Sequence, residues 1–429
     1  MAEMAVSTIP PSHIPEGMKA VHVGEPFLSI ALQTLEDFGS KRVFVLANKS
    51  SRKFIERDAN LSADIDCSND GDNNLLFIDK LRELGILAAP LNTSLEMGGM
   101  QDGLLQACNE AYAAQADVIV TVGGGAVQDA GKLIRLWLST RHDNDSTDST
   151  NATAGATVEA IQAAANRNPM PILPPQIAIP NSFAMAEGTY VAGLTTSSKT
   201  KSGAAHSSLL PTVIIYDPVL SAGLPDWVRF GTALRGVEHA VGAITHPKAT
   251  EDIRNRALLG LSILHDNITK LLSNPECPTT HSNIYVGGFI AVRALSPTCY
   301  PSIGHLIENQ YSAKFGVHQG SCSGILMARI MDYHYEQTME YQKRISMALS
   351  GGDESISNTP APQLLRDLIK MLPGVKHEHD QVNVTNDMLR ELATWMFENH
   401  LERFNVLCPR KFTCVEDIYG LMTKSLDDL

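Results

Sequence analysis

Three consecutive glycines, Gly123, Gly124 and Gly125, constrain the fold of this chain more than any other feature of its sequence. They follow a largely apolar, β-branched run at 117–122 and precede a segment with helical periodicity. Glycines between a strand and a helix let the backbone approach a pyrophosphate closely, and the amides at the helix start can donate to its oxygens. The pattern predicts a dinucleotide site, while a simple tight turn between strand and helix remains the open alternative.

The first half of the chain alternates between strand-like and helix-like segments. Strands are predicted at 41–47, 86–91 and 117–122, and helices at 75–84 and 97–115. Such alternation is typical of a parallel sheet covered by helices. Residues 139–155 are polar and repetitive, so we expect a flexible surface insertion there.

The second half of the chain is dominated by helical periodicity and has few β-branched runs. Helices are predicted at 232–244, 250–272, 283–295, 304–314, 321–347, 361–371 and 386–399. This pattern favours an all-helical domain. We therefore predict an α/β domain over 1–217 and an all-α domain over 218–429.

Charge and cysteine content exclude several classes of protein. The net charge of −13 over 429 residues argues against nucleic acid as a partner, because phosphate binding needs a basic face. The 7 cysteines form no CxxC pair, so neither a zinc knuckle nor a disulfide framework is indicated. The first residues lack the pattern of a secretory signal, and no apolar run reaches the length of a membrane span. The sequence predicts a cytoplasmic protein with a small-molecule substrate and no membrane partner.

Three segments carry a resemblance to a known family. The glycine run continues as Ala126-Val-Gln-Asp-Ala-Gly-Lys132, which resembles the GGGSxxDxxK segment of iron-containing alcohol dehydrogenases, with alanine for the usual serine. Residues 177–189 (IAIPNSFAMAEGT) are similar to the IPTTxAGSExT segment of the maleylacetate reductases, which belong to that superfamily. Residues 210–225 resemble the hinge of the maleylacetate reductases.

The resemblance implies a Rossmann-like N-terminal domain, a helical C-terminal domain, and a cleft between them that binds NAD or NADP and the substrate. It also implies a homodimer, which is common in the family. The residues that match or replace the cofactor-binding positions are Asn48, Gly123, Gly124, Gly125, Asp129, Lys132, Asn181 and Ser182. Asn48 stands where the family often has an aspartate that repels a 2′-phosphate, so its amide should permit NADP; an ordinary basic loop is the alternative.

Metal-dependent members of the family use an aspartate and three histidines as ligands, and this chain departs from that set. His239 matches the first histidine, but Arg235 stands in place of the aspartate one helical turn before it. Pro301 replaces the second histidine, while His305 is kept one turn later. Gln319 replaces the third histidine, although a shift of one residue would bring in His318.

These substitutions predict that no catalytic metal is bound. A single imidazole does not hold a divalent ion tightly, because such sites normally need at least three protein ligands. Glu238 is a carboxylate nearby, but a neighbouring helical residue is expected to point about 100° away from His239. Arg235 would add a permanent positive charge, or, as the alternative, would be a surface cation.

Three functions remain open at this point. The first is metal-independent, NAD(P)H-dependent reduction of a small acidic or enone-bearing carbonyl compound, as in maleylacetate reductases. Arg235 would bind a carboxylate or the developing oxyanion, and His239, His305 and His318 would supply the proton or line the cleft. The second is a non-redox isomerase, lyase or cyclase on the same scaffold; an inactive binding module is a third. For each histidine, a buried packing role is the alternative.

Overall fold

The computed structural model describes residues 9–56, 76–95, 100–142, 155–168, 170, 172–295, 299–375 and 383–423. Within these ranges, no helix is both long enough and apolar enough to cross a membrane.

A five-stranded parallel sheet organises the first half of the chain. The strands found in the described ranges are β1 (Ala20–Val23), β2 (Val43–Ala47), β3 (Val118–Gly123), β4 (Gln176–Pro180), β5 (Val191–Thr195), β6 (Lys201–Ala205) and β7 (Val213–Tyr216). The sheet order is β1-β7-β4-β3-β2, while β5 and β6 form a separate antiparallel hairpin. Every residue of β2, β3 and β4 is buried, as expected when helices cover both faces of a parallel sheet.

Helices connect these strands. They are α1 (Phe27–Phe38), α2 (Arg52–Ile55), α3 (Phe77–Glu83), α4 (Gln101–Ala113), α5 (Gly125–His142) and α6 (Val158–Ala165). Because α5 begins where β3 ends, the glycines form a strand-to-helix turn at the carboxyl edge of the sheet, where α/β proteins bind their ligands. The predicted α/β class is confirmed for this half.

Two predictions for this half were wrong. Residues 86–91 form no regular strand; only single bridges, such as Val43 with Leu87, join this stretch to β2. Pro90 has no amide hydrogen to donate, which interrupts the ladder. The predicted insertion at 139–155 begins too early, because α5 continues through Ser139 and Thr140, whose hydroxyls donate to carbonyls of the preceding turn. Residues 143–154 lie outside the described ranges.

After β7 every regular element in the described ranges is helical. The helices are α7 (Pro218–Ala222), α8 (Asp226–Thr245), α9 (Glu251–Ser273), α10 (Pro278–Ala294), α11 (Ile303–Phe315), α12 (Gln319–Tyr333), α13 (Tyr335–Leu349), α14 (Glu354–Ser357), α15 (Ala361–Met371), α16 (Asn386–Leu407) and α17 (Val415–Thr423). Helix α8 packs against α9, α10, α11, α12 and α13, so most of its polar side chains, including Arg235, Glu238 and His239, face other helices rather than solvent.

The single long helix predicted at 321–347 was wrong, because the chain breaks at His334 between α12 and α13. The backbone of His334 leaves the helical region at φ −108°, and its Nδ1 pairs with the hydroxyl of Thr338 at 3.0 Å. The imidazole is 1% exposed, so the break places a polar ring inside the helical domain.

Two buried histidines make the stability of the helical domain sensitive to acid. Burial lowers the pKa of His334 to about 4, and burial with nearby Lys248 and Arg254 lowers the pKa of His246 to about 4. Since both fold as neutral rings, the stability they contribute is present above their unfolded pKa near 6.5 and is lost as the pH falls towards 4, by up to about 3 kcal/mol each.

We expect urea unfolding at pH 7 and pH 4.5 to show this loss, and H334Q to reduce it. The matched control is H22Q, which changes the partly exposed His22 and should leave the pH dependence as in the wild type. An H334Q protein with an unchanged acid loss would contradict the assignment to His334.

Candidate active site

The glycine turn is shaped so that only glycine fits its first position. Gly123 has φ +157°, and a Cβ there would lie 2.6 Å from Oδ1 of Asn48. A Cβ on Gly124 would lie 3.3 Å from Oγ of Ser182, and one on Gly125 would lie 3.2 Å from the Cβ of Ala184. The turn is therefore bordered by the loop after β2 on one side and by the loop after β4 on the other.

A chain of polar side chains joins these two loops. The hydroxyl of Ser51 donates to Oδ1 of Asn48, and the same hydroxyl accepts from Nδ2 of Asn181 at 2.9 Å. Asn48, the glycines, Asn181 and Ser182, which were predicted from separate segments, are thus brought together. Ser51 is an addition that the sequence analysis missed; its only signal was its position one turn after the end of β2.

Asp129 and Lys132 lie behind the turn, on α5. The Lys132 ammonium is 0% exposed and donates to the carbonyls of Ala186 and Val191, both at 2.7 Å, and to Asp129 at 3.1 Å. Asp129 in turn accepts from the amide of Gly193 at 3.0 Å. Burial lowers the pKa of Lys132, and the Asp129 carboxylate opposes this. The geometry gives Lys132 the task of holding the segment after β4 in place.

Arg235 lies in the interior of the helical domain, where it is 5% exposed. The alternative of a surface cation is therefore wrong. Its Nη1 donates to Oε1 of Glu308 on α11 and, at 3.2 Å, to the hydroxyl of Ser323 on α12. Its Nη2 lies 3.0 Å from Nδ1 of His305. One side of the guanidinium is thus already paired with a carboxylate, so the fork that was expected to hold a substrate carboxylate is not free.

His305 connects Arg235 with Tyr300. Its Nε2 lies 2.9 Å from the hydroxyl of Tyr300. Its Nδ1 is also near two carboxylates: the nearest oxygen of Glu308 lies at 3.4 Å and that of Glu238 at 3.7 Å. Both distances are longer than the 3.0 Å to Arg235. Burial and the charge of Arg235 lower the pKa of His305, with Glu238 opposing. His305 is therefore a neutral ring at pH 7.

Glu238 belongs to the same cluster, contrary to the expectation that it points away. Helix α8 is surrounded by other helices, so the face that carries Glu238 is covered by protein as well as the face that carries His239. Glu238 lies next to α11, the helix that carries His305. Ser302 donates to Oε1 of Glu238, while Oε2 has no hydrogen-bond partner among the described residues. Burial raises the pKa of Glu238, but the nearby His305, His239 and Arg235 outweigh it and hold the pKa at about 2.

His239 is buried, and neither of its ring nitrogens has a partner in the described part of the chain. Its ring centroid lies 5.4 Å from that of His305. Burial lowers the pKa of His239 well below its ordinary value. Since an unpaired polar group costs free energy in the interior, this ring is a candidate to bind an incoming polar group.

Glu238, His239 and His305 could form a metal site. Each offers one possible ligand atom, and the three atoms lie within 4.8 Å of one another. A cation held there would have to replace the contact between His305 Nδ1 and Arg235, since a guanidinium has only donors. It would also sit beside a guanidinium that stays charged. Catalytic zinc sites use three protein ligands, which is the number of donors offered here. The charge of Arg235 therefore opposes a cation at this cluster, although the number of donors would suffice for one.

His318 stands apart from this cluster. It caps the start of α12, where its Nδ1 accepts from the amide of Gly320 at 3.2 Å, and its ring lies edge-on against Trp227. Burial and Arg235 lower the pKa of His318 to about 4. The side-chain amide of Gln319 donates to Oδ1 of Asn309 on α11. The structure thus gives His318 a capping role, and its predicted catalytic role stays untested.

The sequence analysis missed Lys201 and Tyr300. Lys201 lies on β6, which packs against α11, and it is partly buried. Burial lowers the pKa of Lys201 to about 8, while the charges of Asp129 and Arg235 raise and lower it respectively. Neither residue belongs to a motif that the sequence analysis recognised. Their proximity to Arg235 and His305 becomes visible only in the folded chain.

A parallel α/β domain with a glycine turn, followed by a helical domain with a buried histidine cluster, defines the class of two-domain dehydrogenases. The chain belongs to the iron-containing alcohol dehydrogenase family. Residues 78–218 match the family described as Iron-containing alcohol dehydrogenase, and residues 231–426 match the one described as Fe-containing alcohol dehydrogenase family, C-terminal. The predicted family and fold are confirmed, and the chain is an oxidoreductase of this family.

Named relatives include dehydrogenase ALT3 of Alternaria alternata, 26% identical over 60% of this chain and 69% of its own length. Maleylacetate reductase 1 of Rhodococcus opacus is 24% identical over 43% of this chain and 50% of its own length. Among solved structures, maleylacetate reductase from Rhizobium sp. strain MTP-10005 has a TM-score of 0.68 at 18% identity, covering 96% of both chains. NADH-dependent butanol dehydrogenase A of Thermotoga maritima has a TM-score of 0.73 at 15% identity, covering 95% of this chain and 97% of its own.

Proposed function

We propose that this protein is a metal-independent, NAD(P)H-dependent reductase of a small acidic or enone-bearing carbonyl compound, similar to the maleylacetate reductases. One observation carries the metal-independent part. Arg235 is buried at the position where metal-dependent relatives have a ligand, and it is bonded to Glu308 and His305. A fixed guanidinium supplies positive charge next to the histidines without an ion.

The cofactor half of the proposal rests on the glycine turn. Gly123, Gly124 and Gly125, with Asn181 and Ser182 alongside, leave room for a pyrophosphate at the start of α5, where the helix dipole favours an anion. A bound dihydronicotinamide would supply a hydride to the substrate. Asp129 and Lys132 support this site from behind by holding the segment after β4.

The helical domain supplies the rest of the chemistry. Reduction of a carbonyl or enone builds negative charge on oxygen, and hydrogen-bond donors aimed at that oxygen lower the barrier. Arg235 acts through His305, to which it donates, while the unpaired ring of His239 can meet a polar group of the substrate. Glu308 keeps the guanidinium in place.

The proposal is tested by three measurements on the purified protein. We expect NADPH or NADH to bind with a change in nicotinamide fluorescence, metal analysis to find no stoichiometric iron or zinc, and maleylacetate to be reduced after treatment with a chelator. Nucleotide binding without any reduction would favour a non-redox enzyme. Activity that disappears with the chelator and returns with iron or zinc would overturn the metal-independent part.

Cofactor preference gives a sharper prediction at Asn48. The variant N48D keeps the shape of the side chain and its contacts with Ser50 and Ser51, but places a negative charge at the end of β2. We expect the affinity for NADPH to fall by about tenfold relative to NADH, because one unit of charge repulsion near the 2′-phosphate costs about 1.4 kcal/mol. Fluorescence titration measures both constants. An equal change in the affinities for NADPH and NADH would show that Asn48 does not lie near the 2′-phosphate.

A further inference from the structure

We propose that Tyr300 is a catalytic residue, whose phenol donates a hydrogen bond and then its proton to the carbonyl oxygen of the substrate. This inference rests on the proposed reductase function and names the proton donor in it. The observation behind it is the row of contacts Glu308–Arg235–His305–Tyr300, which runs from the interior of the helical domain to the cleft.

The direction of the hydrogen bonds in this row follows from the chemistry of Arg235. A guanidinium only donates, so Nδ1 of His305, at 3.0 Å, must accept. A neutral imidazole that accepts at Nδ1 carries its hydrogen on Nε2. Nε2 therefore donates to the oxygen of Tyr300 at 2.9 Å, and the phenol hydrogen is not used in this contact.

The position of Tyr300 suits this role. It is partly exposed, whereas His305 behind it is 7% exposed. Its ring packs edge-on against Tyr190, which precedes β5 in the α/β domain, with ring centroids 6.1 Å apart. Tyr300 is thus the member of the row that lies where the two domains meet, which is where the nicotinamide and the substrate are expected.

The surroundings keep the phenol protonated until a stronger base is present. Burial raises the pKa of Tyr300, and the positive charge of Arg235 opposes this. At neutral pH the group is therefore a donor rather than a base. The N–H of His305 and the field of Arg235 would stabilise the phenolate that forms when the proton leaves.

The step balances as follows. A hydride delivered by the dihydronicotinamide forms a C–H bond at the carbonyl carbon, or at the far carbon of a conjugated C=C, and the displaced π electrons end on the carbonyl oxygen. The O–H bond of Tyr300 breaks, its electron pair stays on the phenolate, and the proton forms the new O–H bond of an alcohol or enol. The phenolate then recovers a proton from solvent water.

Kinetics with NADPH and maleylacetate test the role of the hydroxyl. We expect Y300F to lower kcat by about 10²- to 10⁴-fold with an unchanged Kd for NADPH, since a positioned general acid contributes that factor. The control Y190F removes the neighbouring hydroxyl, and its kcat should stay within about twofold of the wild-type kcat, which is less than the effect of one lost hydrogen bond. 3-Fluorotyrosine at position 300 should restore turnover, because it returns an acidic O–H to the same place.

A second measurement does not depend on turnover. Nitrogen NMR of the full-length protein with labelled histidine, with His305 assigned by the loss of its signals in H305Q, should show the hydrogen on Nε2. A hydrogen on Nδ1, or a Y300F enzyme as active as the wild type, would overturn the role of Tyr300 alone. A wild-type protein that binds NADPH but does not reduce maleylacetate would contradict the proposed function and, with it, this step.

Discussion

Replacing Arg235 by alanine is expected to abolish turnover and to destabilise the protein by about 3–5 kcal/mol, the cost of leaving a buried charge without its partner. Glu308 is the group left behind; its side chain is 1% exposed and would keep the hydroxyl of Ser323 and the neutral ring of His305 as neighbours, but no cation. Turnover should fall by at least about 100-fold, because His305 loses the donor that fixes its ring and the site loses a positive charge. Urea unfolding and steady-state kinetics measure the two effects.

A double variant separates stability from catalysis. Glu308→Gln in the Arg235→Ala background removes the unpaired charge, so much of the stability should return while turnover stays low. Arg256→Ala is the matched control, because Arg256 pairs with Asp252 in an exposed ion pair on α9 and such pairs contribute at most about 1 kcal/mol. Turnover that recovers together with stability would show that Arg235 is only structural.

Replacing Lys132 by methionine is expected to destabilise the α/β domain by about 3 kcal/mol or more. Methionine fills similar space, but it removes the ammonium that donates to the carbonyls of Ala186 and Val191, which keep only the donors of Thr189 among the contacts described, and it leaves Asp129 without its cation. A hydrogen bond from a charged group contributes about 1.5–3 kcal/mol, and Lys132 makes several of them. Because these groups hold the segment after β4 against the glycine turn, the affinity for NADPH should fall as well.

The comparison of these two effects tests how Lys132 acts. A support role predicts that stability and affinity fall together, whereas direct contact with the cofactor predicts weaker binding at unchanged stability. The matched control is Lys270→Met, because Lys270 is half-exposed on α9 and pairs only with nearby Asp266. Thermal unfolding with and without NADPH measures both quantities.

The sequence predicted what depends on local pattern. To predict the glycine turn, it was enough to recognise a strand before it and a helix after it. The helical periodicity of α8 likewise predicts that Arg235 and His239 lie on one face. The hairpin of β5 and β6 was missed, because β6 consists of small and polar residues, Lys201–Ala205, without a strand pattern.

The rest of the site could not be predicted because its members come from distant segments. Glu308 lies 73 residues from Arg235 in the chain, and the helix that carries Glu238 does not by itself reveal what packs against each face. Adjacent helical residues do point in different directions, yet Glu238 still lies near His305, because α11, which carries His305, packs against α8. Tyr300 becomes a candidate site residue only through its hydrogen bond with His305, which the sequence does not show.

The bond between Arg235 and Glu308 also constrains how these two positions can evolve. An aspartate at 235 would bring a carboxylate next to Glu308 and Glu238 with no cation among them, and a neutral residue at 308 would leave the guanidinium alone in the interior. Single exchanges at either position therefore pass through a less stable protein. Among homologues, the arginine and the glutamate should be inherited as a pair, and their covariation can be read from any broad set of related sequences.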